Sequence, residues 1–241
     1  MSMVPPQRQK SLRRLIDRLG LPDYHGMRWD LLDLALTHPS ISPDKNYEQL
    51  EFIGDAVVRL AASEVLYAEY PAEPVGEFAA IRSILVSDRT LAEFAHRYNL
   101  KKYLSYHGHY HGAGEISLLA DAFEAMLGAL FLTTNDLSLV HPWLDEHLRH
   151  KAAEIKQDPA RENYKDALQT WSQGEYQKLP TYQVTENPEF RHEEERFLAE
   201  VKLGDTLLGK GVGRSKKAAE QAAARMAFEA IAPLENFTPQ S

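Results

Sequence analysis

Cysteine is absent from the 241-residue sequence. Disulfide bridges and thiolate metal ligands are therefore excluded, and the absence is consistent with a reducing, cytoplasmic compartment. Long apolar runs are missing as well, since no stretch approaches the roughly 18 residues that indicate a membrane-spanning helix. The first residues, MSMVPPQRQKSLRRL, are polar and basic without an apolar segment, so no signal peptide is predicted. We expect a cytoplasmic protein that makes no use of a membrane.

Positive charge is in deficit. Lysine and arginine number 27, against 35 aspartate and glutamate residues, which leaves a net charge of −8. This balance by itself argues against a nucleic-acid-binding protein, because such proteins neutralise phosphates with basic side chains. The contents of hydrophobic residues, 44%, and charged residues, 26%, are ordinary for a globular protein. The length allows one large domain or two modest ones.

The first part of the chain has a helical pattern. Up to about residue 156, apolar residues recur at spacings of three and four, with almost no alternation of period two. The helical segments are SLRRLIDRLG, WDLLDLALTH, LEFIGDAVVRLAASEVLYAEY, VGEFAAIRSILVSDRTLAEFAHRYNL, ISLLADAFEAMLGALFLTT and LVHPWLDEHLRHKAAEIK. We predict an all-α domain over 8–156 and a polar linker over 157–162.

The second part has a different pattern. NYKDALQTWSQGEY predicts a helix that ends near Gly174, and three short strands follow in PTYQVTEN, RFLAEVKLGD and TLLGKGVG. A Gly-Asp turn joins the last two strands. SKKAAEQAAARMAFEAI predicts a helix with Ser215 as its N-cap. The predicted fold class is therefore multidomain, with an α-β-β-β-α unit over 163–233 and a tail over 234–241.

Residues 46–58, NYEQLEFIGDAVV, hold three acids in a mostly apolar segment. Glu48, Glu51 and Asp55 are three and four residues apart, so they share one face of a helix. The surrounding apolar residues are too dense for an exposed helix and indicate burial on most sides. Because like charges repel and unpaired buried charges are costly, a positive partner is expected beside them.

A second acidic stripe, Asp121 and Glu124, lies in LLADAFEAMLGAL (118–130). If the two helices face each other, five carboxylates are pooled, and they cannot all ionise in a buried site without cations. Oxygen ligands without cysteine or adjacent histidine favour magnesium or manganese. Paired ions of this kind suit phosphodiester hydrolysis. One alternative is a pair of solvated helix faces; another is a di-iron site, which ordinarily uses Glu-x-x-His pairs that neither stripe contains.

The motifs of both halves resemble one known family. NYEQLEFIGDA resembles the signature motif of ribonuclease III, and LLADAFEAMLGAL resembles its second acidic motif. LTHPS (36–40) and GEFAAIRSILVSDRTL (76–91) are similar to further family blocks, and the α-β-β-β-α unit resembles a double-stranded-RNA-binding domain. The resemblance covers nearly the whole chain and is to the bacterial type, with one all-α endonuclease domain and one RNA-binding domain.

The resemblance implies roles for the five acids. Glu51, Asp121, Glu124 and Asp55 would be ligands of magnesium, for which manganese is the expected substitute. Asp55 and Glu124 would be catalytic, and Asp55 would also support the attacking water. Glu48, at the first acid of the signature, would lie further along the same cleft and belong to the catalytic set.

The resemblance also implies a homodimer. Phe52 would dock into a second copy of the chain, the alternative from the sequence being ordinary core packing. Glu77 would extend the acidic cleft near the dimer interface as a substrate-binding residue. Its alternative is a helix N-terminal acid that the helix dipole favours.

Basic residues of the second unit are concentrated in one segment. Residues 158–241 carry 11 basic and 14 acidic residues, yet GKGVGRSKK (209–217) has no acid. Lys216 and Lys217 lie in the first turn of the predicted helix, where the dipole disfavours cations, so a phosphate is expected beside them unless they are simply solvated. By resemblance, Gln169 and His192 would each touch an RNA minor groove, although three glutamates follow His192.

The predicted protein is thus an endoribonuclease that cleaves double-stranded RNA by magnesium-dependent hydrolysis, without a small-molecule cofactor. The resemblance implies 5′-phosphate and 3′-hydroxyl products, and roles in ribosomal RNA processing and in RNA maturation or decay. Two other classes stay open at this point. One is a duplex-RNA binder that does not cleave, and the other is a di-iron helical oxidase.

Overall fold

A computed structural model describes residues 4–21, 26–158, 163–186 and 195–231. The chain divides into two compact units between Ile155 and Lys156. The first unit contains helices α1 (Pro6–Arg18), α2 (Trp29–Ala35), α3 (Glu48–Glu69), α4 (Val75–Leu85), α5 (Asp88–Arg97), a 3₁₀ turn (Leu100–Tyr103), α6 (Ala113–Thr134) and α7 (His141–Gln157). The second contains α8 (Tyr164–Tyr176), β1 (Thr181–Glu186), β2 (Phe197–Leu203), β3 (Thr206–Gly213) and α9 (Lys216–Ile231). The predicted fold class is confirmed.

Helix α6 is the central helix of the first unit. Half of its 22 residues are buried, and it packs against α2, α3 and α5. By length and hydropathy it is the one helix in the described part of the chain that could cross a membrane, although its sequence contains no uninterrupted apolar run of that length. Because 61% of its apolar window is buried within the unit, the hydropathy of α6 reflects its place in the core.

Two glycines set the distance between α3 and α6. A Cβ atom added to Gly54 would lie 1.7 Å from the carbonyl oxygen of Glu124, and one added to Gly128 would lie 2.2 Å from the carbonyl oxygen of Leu50. No side chain fits at either position, so the two helix backbones are in direct contact. Since Gly54 precedes Asp55 in α3, this crossing brings the two acidic helices together at their acids.

The segment 75–100, which has one continuous helical pattern in the sequence, contains two helices. Helix α4 ends at Leu85 and α5 begins at Asp88. Ser87 is the N-cap of α5, because its Oγ accepts a hydrogen bond of 3.4 Å from the backbone N–H of Thr90. The break places Asp88 in the first turn of α5.

The second unit has an antiparallel sheet in the order β1-β2-β3, with α9 packed against all three strands and α8 packed against α9. The predicted turn between β2 and β3 is confirmed, and Gly204 adopts a φ of +61° that glycine accommodates without strain. Helix α8 continues to Tyr176 instead of ending near Gly174, and the left-handed Gln177 follows it. The predicted N-cap of α9 is also confirmed, since Ser215 Oγ accepts a 3.2 Å hydrogen bond from Ala218 N–H.

Alternate glycines of β3 allow α9 to lie directly on the sheet. A Cβ atom on Gly211 would be 2.1 Å from the backbone nitrogen of Ala223, and one on Gly213 would be 2.6 Å from that of Ala219. Lys210, which directly precedes Gly211, is paired with Glu200 on the neighbouring strand. The glycines of the basic segment therefore serve packing, and its first lysine has a partner within the sheet.

Candidate active site

The first acidic stripe begins at a helix end that a buried side chain defines. Asn46 Oδ1 accepts a 3.0 Å hydrogen bond from the backbone N–H of Glu48, and Asn46 Nδ2 donates to two preceding loop carbonyls at 3.2 and 2.9 Å. These bonds satisfy one of the amide groups that the first helical turn leaves unpaired. Asn46 thereby determines where α3 starts, and with it the positions of Glu48, Glu51 and Asp55 on the helix.

Acids from both predicted stripes lie close together. Burial and the charges of Asp121 and Glu48 raise the pKa of Glu51 to about 7. Burial and the charges of Asp55 and Glu51 raise the pKa of Glu124 to about 8. Burial also raises the pKa of Asp121. The structure therefore brings all five sequence-selected acids to the crossing of α3 and α6, where each adds to an excess of negative charge.

A sixth acid, Asp88, belongs to this cluster and was missed by the sequence analysis. Its negative charge contributes to the raised pKa values of Glu51, Asp121 and Glu124. Asp88 comes from α5, the third helix at the site, which packs against α6. The sequence signal that could have found it is the Ser-Asp pair at the start of α5, an N-cap followed by a first-turn acid.

Asp55 is the one acid of the cluster that is held by a cation in the described part of the chain. Arg59 Nε lies 2.8 and 2.9 Å from the two Asp55 carboxylate oxygens, and Arg59 Nη2 lies 2.8 Å from Oδ1. Asp55 raises the pKa of the Arg59 guanidinium through this hydrogen bond. The positive partner expected from the sequence is therefore present, one turn along the same helix.

A buried tyrosine contacts one acid of the cluster. Tyr47 OH donates a long hydrogen bond of 3.4 Å to Asp121 Oδ2. Burial and the charge of Asp121 raise the pKa of Tyr47, so the phenol remains a proton donor at neutral pH. The ring of His38, from the LTHPS block, meets the ring of Tyr47 edge-on at 5.6 Å between centroids. Tyr47 therefore supplies one acid of the cluster with a neutral hydrogen-bond donor.

The donor set fits a hard divalent cation. The cluster offers carboxylate oxygens without thiolates, and burial together with neighbouring negative charges raises the pKa values of three of its members. Within the described residues, no three acidic or histidine side chains already converge on one point as a finished coordination shell. An ion held by three or more of these side chains therefore requires side-chain rotation.

Two further predicted residues of the first unit are Phe52 and Glu77. Phe52 is 82% exposed, so it is not part of the core of the first unit, and the core-packing alternative is wrong. Glu77 lies in the first turn of α4 and is partly buried. It is not among the main charges that raise the pKa values of Glu51 and Glu124.

Most of the predicted RNA-contacting residues lie on the surface of the second unit. Gln169 is exposed on α8, and Lys216 and Lys217 are exposed in the first turn of α9. Arg214 is exposed immediately before that helix. His192 lies outside the described residues.

The chain matches two family models along its length. The Ribonuclease III domain model matches residues 48–135, and the Double-stranded RNA binding motif model matches residues 164–231. A protein named Ribonuclease 3 2 from Nostoc sp. is 55% identical over 100% of both chains. Another of that name from Synechocystis sp. is 53% identical over 95% of this chain and 94% of its own. The solved nuclease domain of ribonuclease III from Campylobacter jejuni is 28% identical, covering 62% of this chain and 97% of its own, with a TM-score of 0.45.

An acidic helical domain followed by a double-stranded-RNA-binding motif defines an endoribonuclease of double-stranded RNA. The chain belongs to the ribonuclease III family. Membership implies a nuclease that needs a divalent metal ion, in agreement with the donor set at the crossing of α3 and α6.

Proposed function

We propose that the acids at the crossing of α3 and α6 bind magnesium, for which manganese can substitute, and that this site hydrolyses phosphodiester bonds of duplex RNA. The observation that carries the proposal is the set of raised pKa values on Glu51, Asp121 and Glu124. Half-buried carboxylates with such an excess of negative charge are a site that divalent cations stabilise. The products would carry a 5′-phosphate and a 3′-hydroxyl group.

The proposed roles follow the positions of the acids. Glu51, Asp121, Glu124 and Asp55 hold the metal, and Asp55 and Glu124 are the catalytic pair. When bound, the metal supplies an activated water and offsets charge on the phosphate. Glu124, with a pKa of about 8 without metal, must lose its proton to act as a ligand. Glu48 belongs to the same cleft at the start of α3.

We further propose that two copies of the chain associate through the outer face of α3. Phe52, Leu60 and Tyr67 are 82%, 49% and 73% exposed and follow one another at spacings of eight and seven residues, with Ala56 between the first two. These spacings place them on one helix face, and an exposed apolar face of this kind is suited to a partner surface. In such a dimer, each subunit would cut one strand of the duplex.

The second unit would hold the duplex. Lys216 and Lys217 would contact phosphate groups at the N-terminus of α9, where backbone N–H groups add to the attraction. Gln169 would approach one minor groove and His192 another, while Glu77 would line the cleft near the dimer interface. The biological substrates would be precursors of ribosomal RNA and other RNAs that undergo maturation or decay.

A cleavage assay tests this function. We expect long duplex RNA to be cut with magnesium and left intact with a chelator, and Asp55→Asn and Glu124→Gln each to abolish cutting. Both variants should still bind duplex RNA in calcium, which is larger and less strict in geometry than magnesium. Asp17→Asn, an exposed acid on α1, is the matched control and should cut normally.

Two results would contradict the proposal. Near-normal turnover by Asp55→Asn or Glu124→Gln at saturating magnesium would remove that residue from the catalytic pair. Duplex binding by the wild-type protein without any magnesium-dependent cutting would identify a binder that does not cleave.

A further inference from the structure

Arg59 occupies the carboxylate that the proposed mechanism needs. Its guanidinium contacts both oxygens of Asp55, at 2.8 and 2.9 Å from Nε, with a further 2.8 Å contact from Nη2. As long as this ion pair is formed, the lone pairs of Asp55 that face Arg59 are not available to a metal ion. The ion pair is therefore a competitor of the metal for the same ligand.

Breaking the Arg59–Asp55 ion pair costs little free energy. The Arg59 and Asp55 side chains are 49% and 41% exposed, and exposed pairs four residues apart on a helix contribute little to stability. A divalent cation beside Asp55 also repels the guanidinium, since both are positive. A metal ion that takes these lone pairs therefore replaces the Arg59–Asp55 contact, and the exchange costs little stability.

Once displaced from Asp55, the Arg59 guanidinium can bind a phosphate group of the RNA substrate. Four residues of helix place Arg59 about 6 Å along α3 from Asp55, within reach of the next phosphate of a strand whose scissile group lies at the acids. The planar guanidinium binds phosphate as it binds carboxylate, through paired N–H donors.

We propose that Arg59 is a positioning residue with two successive partners. It holds Asp55 in the metal-free enzyme, and it binds an RNA phosphate next to the scissile one after a divalent ion has displaced it. This inference rests on the proposed function, because it takes the acids as the metal site and the side of α3 that carries Asp55 and Arg59 as the path of the RNA.

The first measurement is metal affinity without RNA. Manganese is titrated into wild-type protein, Arg59→Gln and Arg149→Gln in a calorimeter. Arg149 is the matched control, because it pairs with Glu69 at 2.9 Å in the same unit with side-chain exposures of 49% and 42%. We expect Arg59→Gln to bind manganese about two- to fivefold more tightly, as the loss of an exposed competing ion pair predicts, and Arg149→Gln to match the wild type.

The second measurement is duplex-RNA affinity in calcium at several salt concentrations. We expect Arg59→Gln to weaken binding and to flatten the slope of log affinity against log salt by about 1, the loss of one phosphate contact. Arg59→Lys keeps the charge and should retain the wild-type slope, and Arg149→Gln should do the same. A purely structural role for Arg59 would not separate the lysine variant from the glutamine variant in this way.

The inference is overturned if Arg59→Gln shows either the wild-type manganese affinity or the wild-type salt slope. A failure of the proposed function looks different, because it appears in the wild-type protein. In that case manganese binding would be absent or unaffected by Asp55→Asn, and magnesium would not support cutting.

Discussion

Two acidic residues of the site, Glu51 and Glu124, make the metal-free protein less stable at high pH. The pKa of Glu124 is raised from 4.5 to about 8 and that of Glu51 from 4.5 to about 7. Between these values the folded state binds more protons than the unfolded state, so these two groups lower the free energy of unfolding as pH rises. Their contribution is most favourable below about pH 4.5 and is lost as pH passes the folded-state pKa values.

Replacing Glu124 with glutamine should therefore stabilise the metal-free protein, and more so at higher pH. In a chelator, we expect the melting temperature of Glu124→Gln to exceed that of the wild type by about 3 °C or more near pH 8.5, with a smaller gain near pH 6. Scanning calorimetry at both pH values measures this difference. Asp17→Asn, an exposed acid outside the cluster, should show no such gain. An equal gain for Glu124→Gln at both pH values would contradict the argument.

Among the structural elements, the pair α3 and α6 determines the geometry of the site. The contact depends on two positions where the backbones touch, at Gly54 and Gly128. Any side chain at either glycine must push the helices apart, and the acids on both helices move with them. The glycines are therefore as necessary to the proposed metal site as the carboxylates are.

Gly54→Ala should be strongly destabilising. Its Cβ would lie 1.7 Å from the Glu124 carbonyl oxygen, and backbone cannot yield as a flexible side chain does, so we expect a loss of about 3 kcal/mol or more in the free energy of unfolding. Chemical denaturation of the nuclease unit measures it. Gly76→Ala is the control, since its added Cβ meets nothing within 4 Å in the first turn of α4, and it should be neutral or slightly stabilising. Equal stabilities of the two variants would contradict close backbone contact at Gly54.

The outer face of α3 should be the place where two copies meet. Phe52→Ala should raise the dissociation constant of the dimer by about two to four orders of magnitude, because truncating a phenylalanine that becomes buried costs roughly 3–5 kcal/mol. Sedimentation over a range of concentrations measures the dimer. The melting temperature of the isolated subunit should hardly change, because Phe52 is 82% exposed there.

A matched control separates this effect from general loss of apolar surface. Leu207 is 44% exposed in the second unit, and Leu207→Ala should leave the dimer intact. An unchanged dimer in Phe52→Ala would place the association surface elsewhere.

At the scale of the whole molecule, an acidic chain has to bind a polyanion. With a net charge of −8, binding depends on local clusters of basic groups rather than on the overall field. The first turn of α9 is such a cluster, with Lys216 and Lys217 exposed and Arg214 next to them. Lys210 does not add to it, because Glu200 holds it on the sheet.

Changing Lys216 and Lys217 together to alanine should weaken duplex binding for every RNA sequence alike, because phosphate contacts position a protein without reading bases. We expect the slope of log affinity against log salt to flatten by about 1 to 2. Binding measured across several salt concentrations tests this, with Lys210→Ala as the paired-lysine control. At low salt and high enzyme concentration, cutting should largely survive. A double variant with the wild-type slope would mean that these lysines face only solvent.

The sequence alone was sufficient for the features that depend on local spacing. Helical periodicity predicted the α-helical first unit, the switch to period two predicted the sheet, and the Ser215 cap and the turn at Gly204 followed from residue type. The acids of the site were also visible, because residues three and four apart share a helix face whatever the helix packs against. Family membership followed from the same motifs.

Only the tertiary structure decided what depends on contacts between distant residues. Asp88 joins the site because α5 packs on α6, and spacing within the chain carries no information about that distance. Phe52 is exposed because the core lies on the opposite face of α3, although phenylalanine is equally typical of a buried core position. Arg59 is on the same helix as Asp55, but its contact with both Asp55 carboxylate oxygens depends on the rotamers of the two side chains. Those rotamers are selected by the folded environment.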